Sequence, residues 1–251
     1  MQMNGIQKFI LDLYPTTKLL LFCFVILSMI IVQNIVFSYL LVPICFLIAI
    51  LASKGKIFFN LFMKALLPIA LMIFLLQIFF YPGETILWEL GIFSISQEGV
   101  VFSLTLISRL LSIGAAFLLF FQITPVKDFI YSIEKLGMSP KAAYVIFSTF
   151  QIIPEIKKTS TTIMDAQKAR GVETEGNIIV RAKAFFPTLA PLFLTSITST
   201  EERAMALEAR AFTVKGKKTR LHHLEKTGKD QFVRILLLLL LVMIIVWRYF
   251  I

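Results

Sequence analysis

The sequence is poor in charged residues. Asp, Glu, Lys and Arg make up only 16% of its 251 residues, whereas 58% are hydrophobic and 25 are phenylalanine. Soluble domains usually carry about a quarter charged residues. This scarcity argues against an ordinary soluble protein. It predicts an all-α, polytopic helical membrane protein, because long apolar runs cross a bilayer as helices.

Residues for catalysis and metal binding are also scarce. The two cysteines, Cys23 and Cys45, lie in apolar runs and are interpreted as small buried hydrophobes. The only histidines, His222 and His223, are adjacent and cannot share one helix face, so a metal site there is not favoured. Gly216-Lys217-Lys218-Thr219 lacks the upstream glycine of a nucleotide-binding loop, and no Gly-x-Ser-x-Gly motif occurs. We therefore predict a protein that is not an enzyme and has no catalytic residues, metal or cofactor.

Long uncharged runs predict five membrane helices. No charge occurs from Leu19 to Ala52, which is too long for one helix of about 20 residues. We expect a helical hairpin that turns at Gln33 and Asn34. The predicted membrane domain is 1–124, with helices at 19–32, 35–52, 57–81 and 100–123. A cytoplasmic domain of long helices follows at 125–232, and a last membrane helix at 233–251.

The distribution of charge predicts the orientation. Segment 125–234 holds 18 of the 25 Lys and Arg residues, whereas segment 82–99 has three Glu and neither Lys nor Arg. Because basic loops stay on the cytoplasmic side, the N-terminus and the domain at 125–232 are expected in the cytoplasm. The net charge of +10 is read in the same way, and nucleic acid is not an expected partner. The N-terminal segment lacks a signal-peptide cleavage pattern and is expected to remain in the mature protein.

One charged residue lies well inside a predicted span. Arg109 is costly in lipid and should face protein or a polar cavity. We favour a structural hydrogen-bond anchor there, with a substrate ligand as the alternative. No acidic residue lies inside any predicted span, which argues against a self-contained secondary transporter or channel, the alternative function. A membrane-bound enzyme would need clustered carboxylate, His or Ser residues, and the acidic residues are scattered.

Two motifs in segment 125–232 place an arginine between small residues at the end of a predicted helix. They are Ala169-Arg170-Gly171 and Ala209-Arg210-Ala211. Small neighbours allow another surface to approach closely, and the guanidinium offers five donors to a carboxylate or to carbonyl groups. One such site is explained by a cation at a helix C-terminus. Two sites favour docking to two partner subunits, with Arg203 and Glu208 as supporting residues.

At these residues the chain resembles the transmembrane T component of energy-coupling factor (ECF) vitamin importers, which is related to the cobalt-importer permease. The same family resemblance extends to Pro15-Thr16-Thr17-Lys18-Leu19-Leu20, Thr124-Pro125, Leu136-Gly137-Met138-Ser139-Pro140-Lys141, Ile153-Pro154, Asp165-Ala166-Gln167, Glu202-Arg203-Ala204 and Leu207-Glu208. The chain departs from the family at Gln151, where Arg is common, and at Ala211, which replaces a second Gly.

The resemblance implies a non-catalytic coupling subunit in a prokaryotic plasma membrane. Two cytosolic ATP-binding-cassette (ABC) ATPases would each receive one motif arginine in a groove. Their motion would pass to a substrate-binding S component embedded in the lipid bilayer, for vitamin or metal uptake. The S component would choose the substrate.

Overall fold

The computed structural model describes residues 5–32, 34–90, 93–172, 176–214, 224 and 226–250. The elements in chain order are α1 (Gly5–Asp12), α2 (Pro15–Ile31), α3 (Ile35–Leu51), α4 (Gly55–Leu61), a π-helical turn (Phe62–Leu66), α5 (Leu67–Phe80), β1 (Ile86–Leu90), β2 (Phe93–Ser96), α6 (Gln97–Ile123), α7 (Val126–Lys135), α8 (Pro140–Ala169), α9 (Ile178–Ala209) and α10 (Gly228–Phe250). The predicted all-α class is confirmed.

The chain divides into two compact units. The first unit is Met1–Gly137 together with Leu224–Ile251, and the second unit is Met138–His223. The second unit therefore contains α8 and α9, and the first contains all the other elements.

The first unit holds the most apolar helices. Among the described residues, three stretches are long and apolar enough to cross a membrane: Gly55–Phe80, Gln97–Ile123 and Gly228–Arg248. Helices α2 and α3 are apolar but have 17 residues each, which is roughly 26 Å of helix against a hydrocarbon core of about 30 Å. The predicted helical membrane fold is supported by several apolar helices that could span a membrane, and the predicted number of five stays a prediction.

The turn between α2 and α3 is partly described. Gln33, one of the two residues predicted to form it, lies outside the described residues. Asn34 is the N-cap residue of α3, and its side chain accepts a hydrogen bond of 2.9 Å from the Val36 N–H. A capping asparagine satisfies a backbone donor that the first helical turn leaves unpaired.

The core of the first unit forms where α3 and α6 pack together. Small side chains line this contact, and Ala49, Ala115 and Ser112 are fully buried. The Ser112 hydroxyl donates to the Ser38 carbonyl at 2.5 Å. Small residues let two membrane helices approach closely, and a hydroxyl adds an interhelical hydrogen bond.

Between α5 and α6 the chain forms a β-hairpin, which differs from the acidic loop that the charges of 82–99 indicate. Strands β1 and β2 are antiparallel, with Leu90 opposite Phe93 and a register shift between Ile86 and Trp88. β-Branched and aromatic residues favour paired strands over open loop. Ser96 is the last residue of β2 and the N-cap residue of α6. Its hydroxyl accepts a 3.0 Å hydrogen bond from the Gly99 N–H, which stabilises the start of the helix.

The described residues of the second unit form two long helices. Helix α8 has 30 residues and α9 has 32. Helix α8 begins at Pro140, with Ser139 as its N-cap, and continues through Pro154. An internal proline removes one backbone hydrogen bond. The many remaining turns of α8 maintain the helix.

Candidate functional site

The first arginine motif forms the C-terminal cap of α8. Arg170 is the cap residue, and Gly171 follows it with φ +87°. The Gly171 N–H donates to the Lys168 carbonyl at 3.0 Å, and the Val172 N–H donates to the Gln167 carbonyl at 3.1 Å. This pair of bonds is a Schellman cap, in which the residue after the cap adopts a left-handed conformation.

The second motif repeats the same backbone geometry at the end of α9. The Ala211 N–H donates to the Glu208 carbonyl at 2.8 Å, and the Phe212 N–H donates to the Leu207 carbonyl at 3.0 Å. Ala211 has φ +54° and so occupies the left-handed position that Gly171 fills in the first motif. Two motifs that differ in sequence therefore present an arginine at the same position of the same cap.

Both motifs are open to the surroundings. Residues 169–171 and 209–211 are all exposed. In the part of the chain that the structure describes, neither the Arg170 nor the Arg210 guanidinium makes a hydrogen bond or an ion pair. The two guanidinium groups together therefore have ten N–H donors that can bind a partner molecule.

The two motifs lie at opposite ends of an antiparallel helix pair. The Phe212 ring contacts Tyr144, with centroids 5.1 Å apart, near the start of α8. At the other end, Gln167 Nε2 donates to the Pro187 carbonyl at 3.5 Å. From Tyr144 to Arg170 is 26 residues, or roughly 39 Å of helix at 1.5 Å per residue. The two guanidinium groups are therefore too far apart to bind one small ligand.

The supporting residues have different environments. Arg203 forms an ion pair with Glu155 of α8 and is only partly exposed. This contact holds α9 against α8, and no local sequence pattern predicts it because the partners are 48 residues apart. Glu208 is exposed, and its backbone carbonyl takes part in the second cap. Arg203 therefore differs from Arg170 and Arg210 in having a partner within the chain.

The remaining candidate residues add no second site. Arg109 lies near the middle of α6 and is partly buried. His222, His223 and the Gly216–Thr219 turn lie outside the described residues. Among the residues that are described, no group of three His, Cys, Asp or Glu side chains is placed to hold a metal ion.

Exchanging the residues at the left-handed positions should shift the stability of the two caps in opposite directions. A left-handed residue with a Cβ costs about 1–2 kcal/mol, so Ala211→Gly is expected to stabilise the end of α9 by about 1 kcal/mol. Gly171→Ala should destabilise the end of α8 by a similar amount. Hydrogen exchange of the Phe212 and Val172 amides in the purified protein measures each effect.

Gly228→Ala is the matched control for these substitutions. A Cβ added at Gly228 meets nothing within 4 Å, and its φ is not left-handed. It should leave both caps unchanged. Equal exchange rates in Gly171→Ala and wild type would contradict the assigned cap geometry.

The apolar helices of the first unit and the arginine-capped helix pair of the second together define a polytopic helical membrane protein with an attached two-helix unit. The sequence profile of the cobalt transport protein (CbiQ) family matches residues 7–222. The chain belongs to this family of transporter membrane proteins.

Related proteins are similar in sequence to this chain over most of its length. The energy-coupling factor transporter transmembrane protein EcfT of Streptococcus equi is 31% identical over 236 residues, covering 90% of this chain and 87% of the relative. EcfT of Clostridium kluyveri is 31% identical over 252 residues, covering 95% and 92%. EcfT of Streptococcus thermophilus is 32% identical over 216 residues, covering 82% and 81%. These relatives are, by name, membrane components of transporters.

Proposed function

We propose that this chain is the transmembrane coupling subunit of an ECF-type ABC importer. It transmits the motion of two cytosolic ABC ATPases to a membrane-embedded S component, which binds the vitamin or metal ion that is taken up. The observation that carries the proposal is the pair of matching caps, each with an exposed arginine and no partner among the described residues. In this role Ala169-Arg170-Gly171 and Ala209-Arg210-Ala211 each dock one ATPase.

The distance between the caps supports two separate docking sites. Roughly 39 Å of helix separates Arg170 from the second cap, so each arginine meets its own ATPase subunit. The Schellman caps fix the backbone on both sides of each arginine, which lowers the entropy lost on docking. The small flanking residues leave room for the walls of a groove.

The apolar surface of the second unit supports a partner in the membrane. Phe186, Phe193 and Leu194 of α9 are 72%, 65% and 67% exposed, and Phe150 and Ile153 of α8 are 52% and 58% exposed. Apolar patches of this kind mark contacts with a protein or a membrane. We assign them to the S component and the adjoining lipid.

The loop charges support the orientation of this assembly. The N-terminus and the second unit face the cytoplasm of a prokaryotic cell, because the basic residues concentrate in these segments. This side of the plasma membrane is where cytosolic ATPases can reach both caps.

Site-specific cross-linking tests the proposal. A photoreactive amino acid replaces Ala169 in one variant and Ala209 in another, and each is expressed together with the ATPases and the S component. Both positions are expected to cross-link to an ATPase subunit, which mass spectrometry identifies. The matched control is Thr198, exposed midway along α9, which should give no ATPase adduct. Adducts to lipid alone at positions 169 and 209 would refute the assignment.

A further inference from the structure

Lys18 is a buried cation that joins two helix ends in the first unit. It lies in the first turn of α2 and is only 4% exposed. Its Nζ donates to the Leu11 carbonyl at 2.7 Å and to the Ile123 carbonyl at 2.9 Å. Leu11 is in the last turn of α1, and Ile123 is the last residue of α6. A cation placed there satisfies carbonyls that the ends of the two helices leave unpaired.

The start of α10 is tied to the same short segment. The Asp230 carboxylate is buried, and it accepts hydrogen bonds from the Tyr14 N–H at 2.7 Å and the Thr227 N–H at 2.9 Å. Arg234 Nε donates to the Thr17 hydroxyl at 2.8 Å, and its Nη2 donates to the Thr16 hydroxyl at 2.5 Å. We call residues Tyr14–Lys18 the anchor segment.

The charges of this cluster offset one another. Burial disfavours the Lys18 ammonium most strongly, and the carboxylates of Asp128, Asp12 and Asp230 offset part of that penalty. A buried charge without such partners costs several kcal/mol. The arrangement therefore holds only while α1, α2, α7 and α10 keep their places around the end of α6.

The anchor segment is bonded to the end of α6, which precedes α7 and the outgoing connection, and to the start of α10, where the chain returns to the first unit. The chain leaves the first unit after α6 and α7 and returns to it at residue 224, just before α10. The end of α6 is bonded to Lys18, and α7 packs against α2. The first turns of α10 are bonded to Tyr14, Thr16 and Thr17. A movement of either connection to the second unit would therefore act on the anchor segment, Tyr14–Lys18.

We propose that the anchor segment is the point at which movement of the second unit is transferred to the membrane helices, with Lys18 and Asp230 as positioning residues. This inference rests on the proposed coupling function. Lys18 holds the outgoing connection and Asp230 holds the returning one. Loss of either leaves the ATPases docked and active but breaks the transfer of their motion.

Hydrogen exchange of the complete complex tests the proposal without knowledge of the transported substrate. The complex of this chain, the ATPases and the S component is measured without nucleotide and with ATP and vanadate, which trap the closed ATPases. In the wild type, nucleotide is expected to change the exchange of peptides in both units. In Lys18→Met and in Asp230→Asn the change in the second unit should persist, while the change in the first unit should be lost.

Matched variants and ATP hydrolysis complete the design. Lys8→Met removes an exposed lysine of α1 and Glu84→Gln an exposed carboxylate, and both should respond as the wild type does. ATP hydrolysis should be retained in Lys18→Met and Asp230→Asn. If nucleotide changed the hydrogen exchange of the first unit in both variants as much as in the wild type, the proposed role of the anchor segment would be wrong.

Two further outcomes are decisive. Faster exchange throughout the first unit of both variants before nucleotide is added would assign the segment to fold stability alone and would also overturn the proposal. If ATP and vanadate caused no change in the hydrogen exchange of the second unit of the wild type, the proposed coupling function would be refuted. The proposed role of the anchor segment would then fail as well. If only the proposal about the anchor segment is wrong, the second unit of the wild type still responds to nucleotide.

Discussion

Replacing both Arg170 and Arg210 with alanine is expected to abolish co-purification of the ATPases and ATP-dependent uptake, while the protein still inserts in the membrane. Each guanidinium is exposed and lacks a partner among the described residues, so its donors are free to bind a partner protein in place of water. A desolvated arginine anchor contributes about 2 kcal/mol or more. Two such losses weaken the assembly by roughly a thousandfold. Co-purification in detergent and uptake in cells measure the two effects.

Three variants separate docking from the other roles of a C-terminal arginine. A cation at a helix C-terminus stabilises the helix by about 0.3–1 kcal/mol. Lysine retains that interaction but loses the planar fork, so the double Lys variant should insert normally and still bind the ATPases weakly. Arg203→Ala removes an arginine of α9 that is paired with Glu155, and it should retain assembly. Normal uptake by the double Ala variant would contradict the proposed docking role of the two arginines.

Each single substitution should have an intermediate effect. Because the caps are roughly 39 Å apart and share no contact among the described residues, their contributions are expected to add. Loss of one arginine then leaves one ATPase contact intact and weakens co-purification by about thirtyfold.

The sequence predicts the membrane class and the arginine motifs because both depend on local patterns. A long uncharged run has few alternatives to a buried or membrane helix. An arginine between small residues just after a helix is equally visible. The Ala169-Arg170-Gly171 motif even predicts its own cap, because glycine favours the left-handed conformation.

Other features escape prediction because they depend on residues far apart in the chain. The cap at Ala211 could not be read from the residue itself, since alanine rarely adopts a positive φ. Continuity of α8 through Pro154 depends on turns on both sides of the proline. The contact between Lys18 and the Ile123 carbonyl joins residues 105 apart. No local pattern specifies that pairing, because lysines commonly flank membrane helices.

The second large effect is expected at Ser112, in the contact between α3 and α6. Ser112 is fully buried, and its hydroxyl donates to the Ser38 carbonyl at 2.5 Å and to the Ser108 carbonyl at 2.9 Å. Ser112→Leu adds side-chain volume at a fully buried position that is in direct contact with the Ser38 backbone of α3. Overpacking of a tight core costs about 1–3 kcal/mol, and loss of the interhelical hydrogen bond adds about 0.6 kcal/mol.

The stability of the detergent-solubilised protein against sodium dodecyl sulfate measures this cost. Ser112→Ala removes only the hydroxyl and should cost about 0.6 kcal/mol, which separates the hydrogen bond from the steric term. Val101→Leu enlarges an exposed residue of the same helix and should change stability by less than about 0.5 kcal/mol. If Ser112→Leu were as stable as Val101→Leu, α3 and α6 could not be in close contact at this point. The close approach of α3 and α6 would then have to be replaced by a looser packing of the first unit. A looser unit would transmit motion poorly, because only rigidly packed helices pass a displacement on to their neighbours.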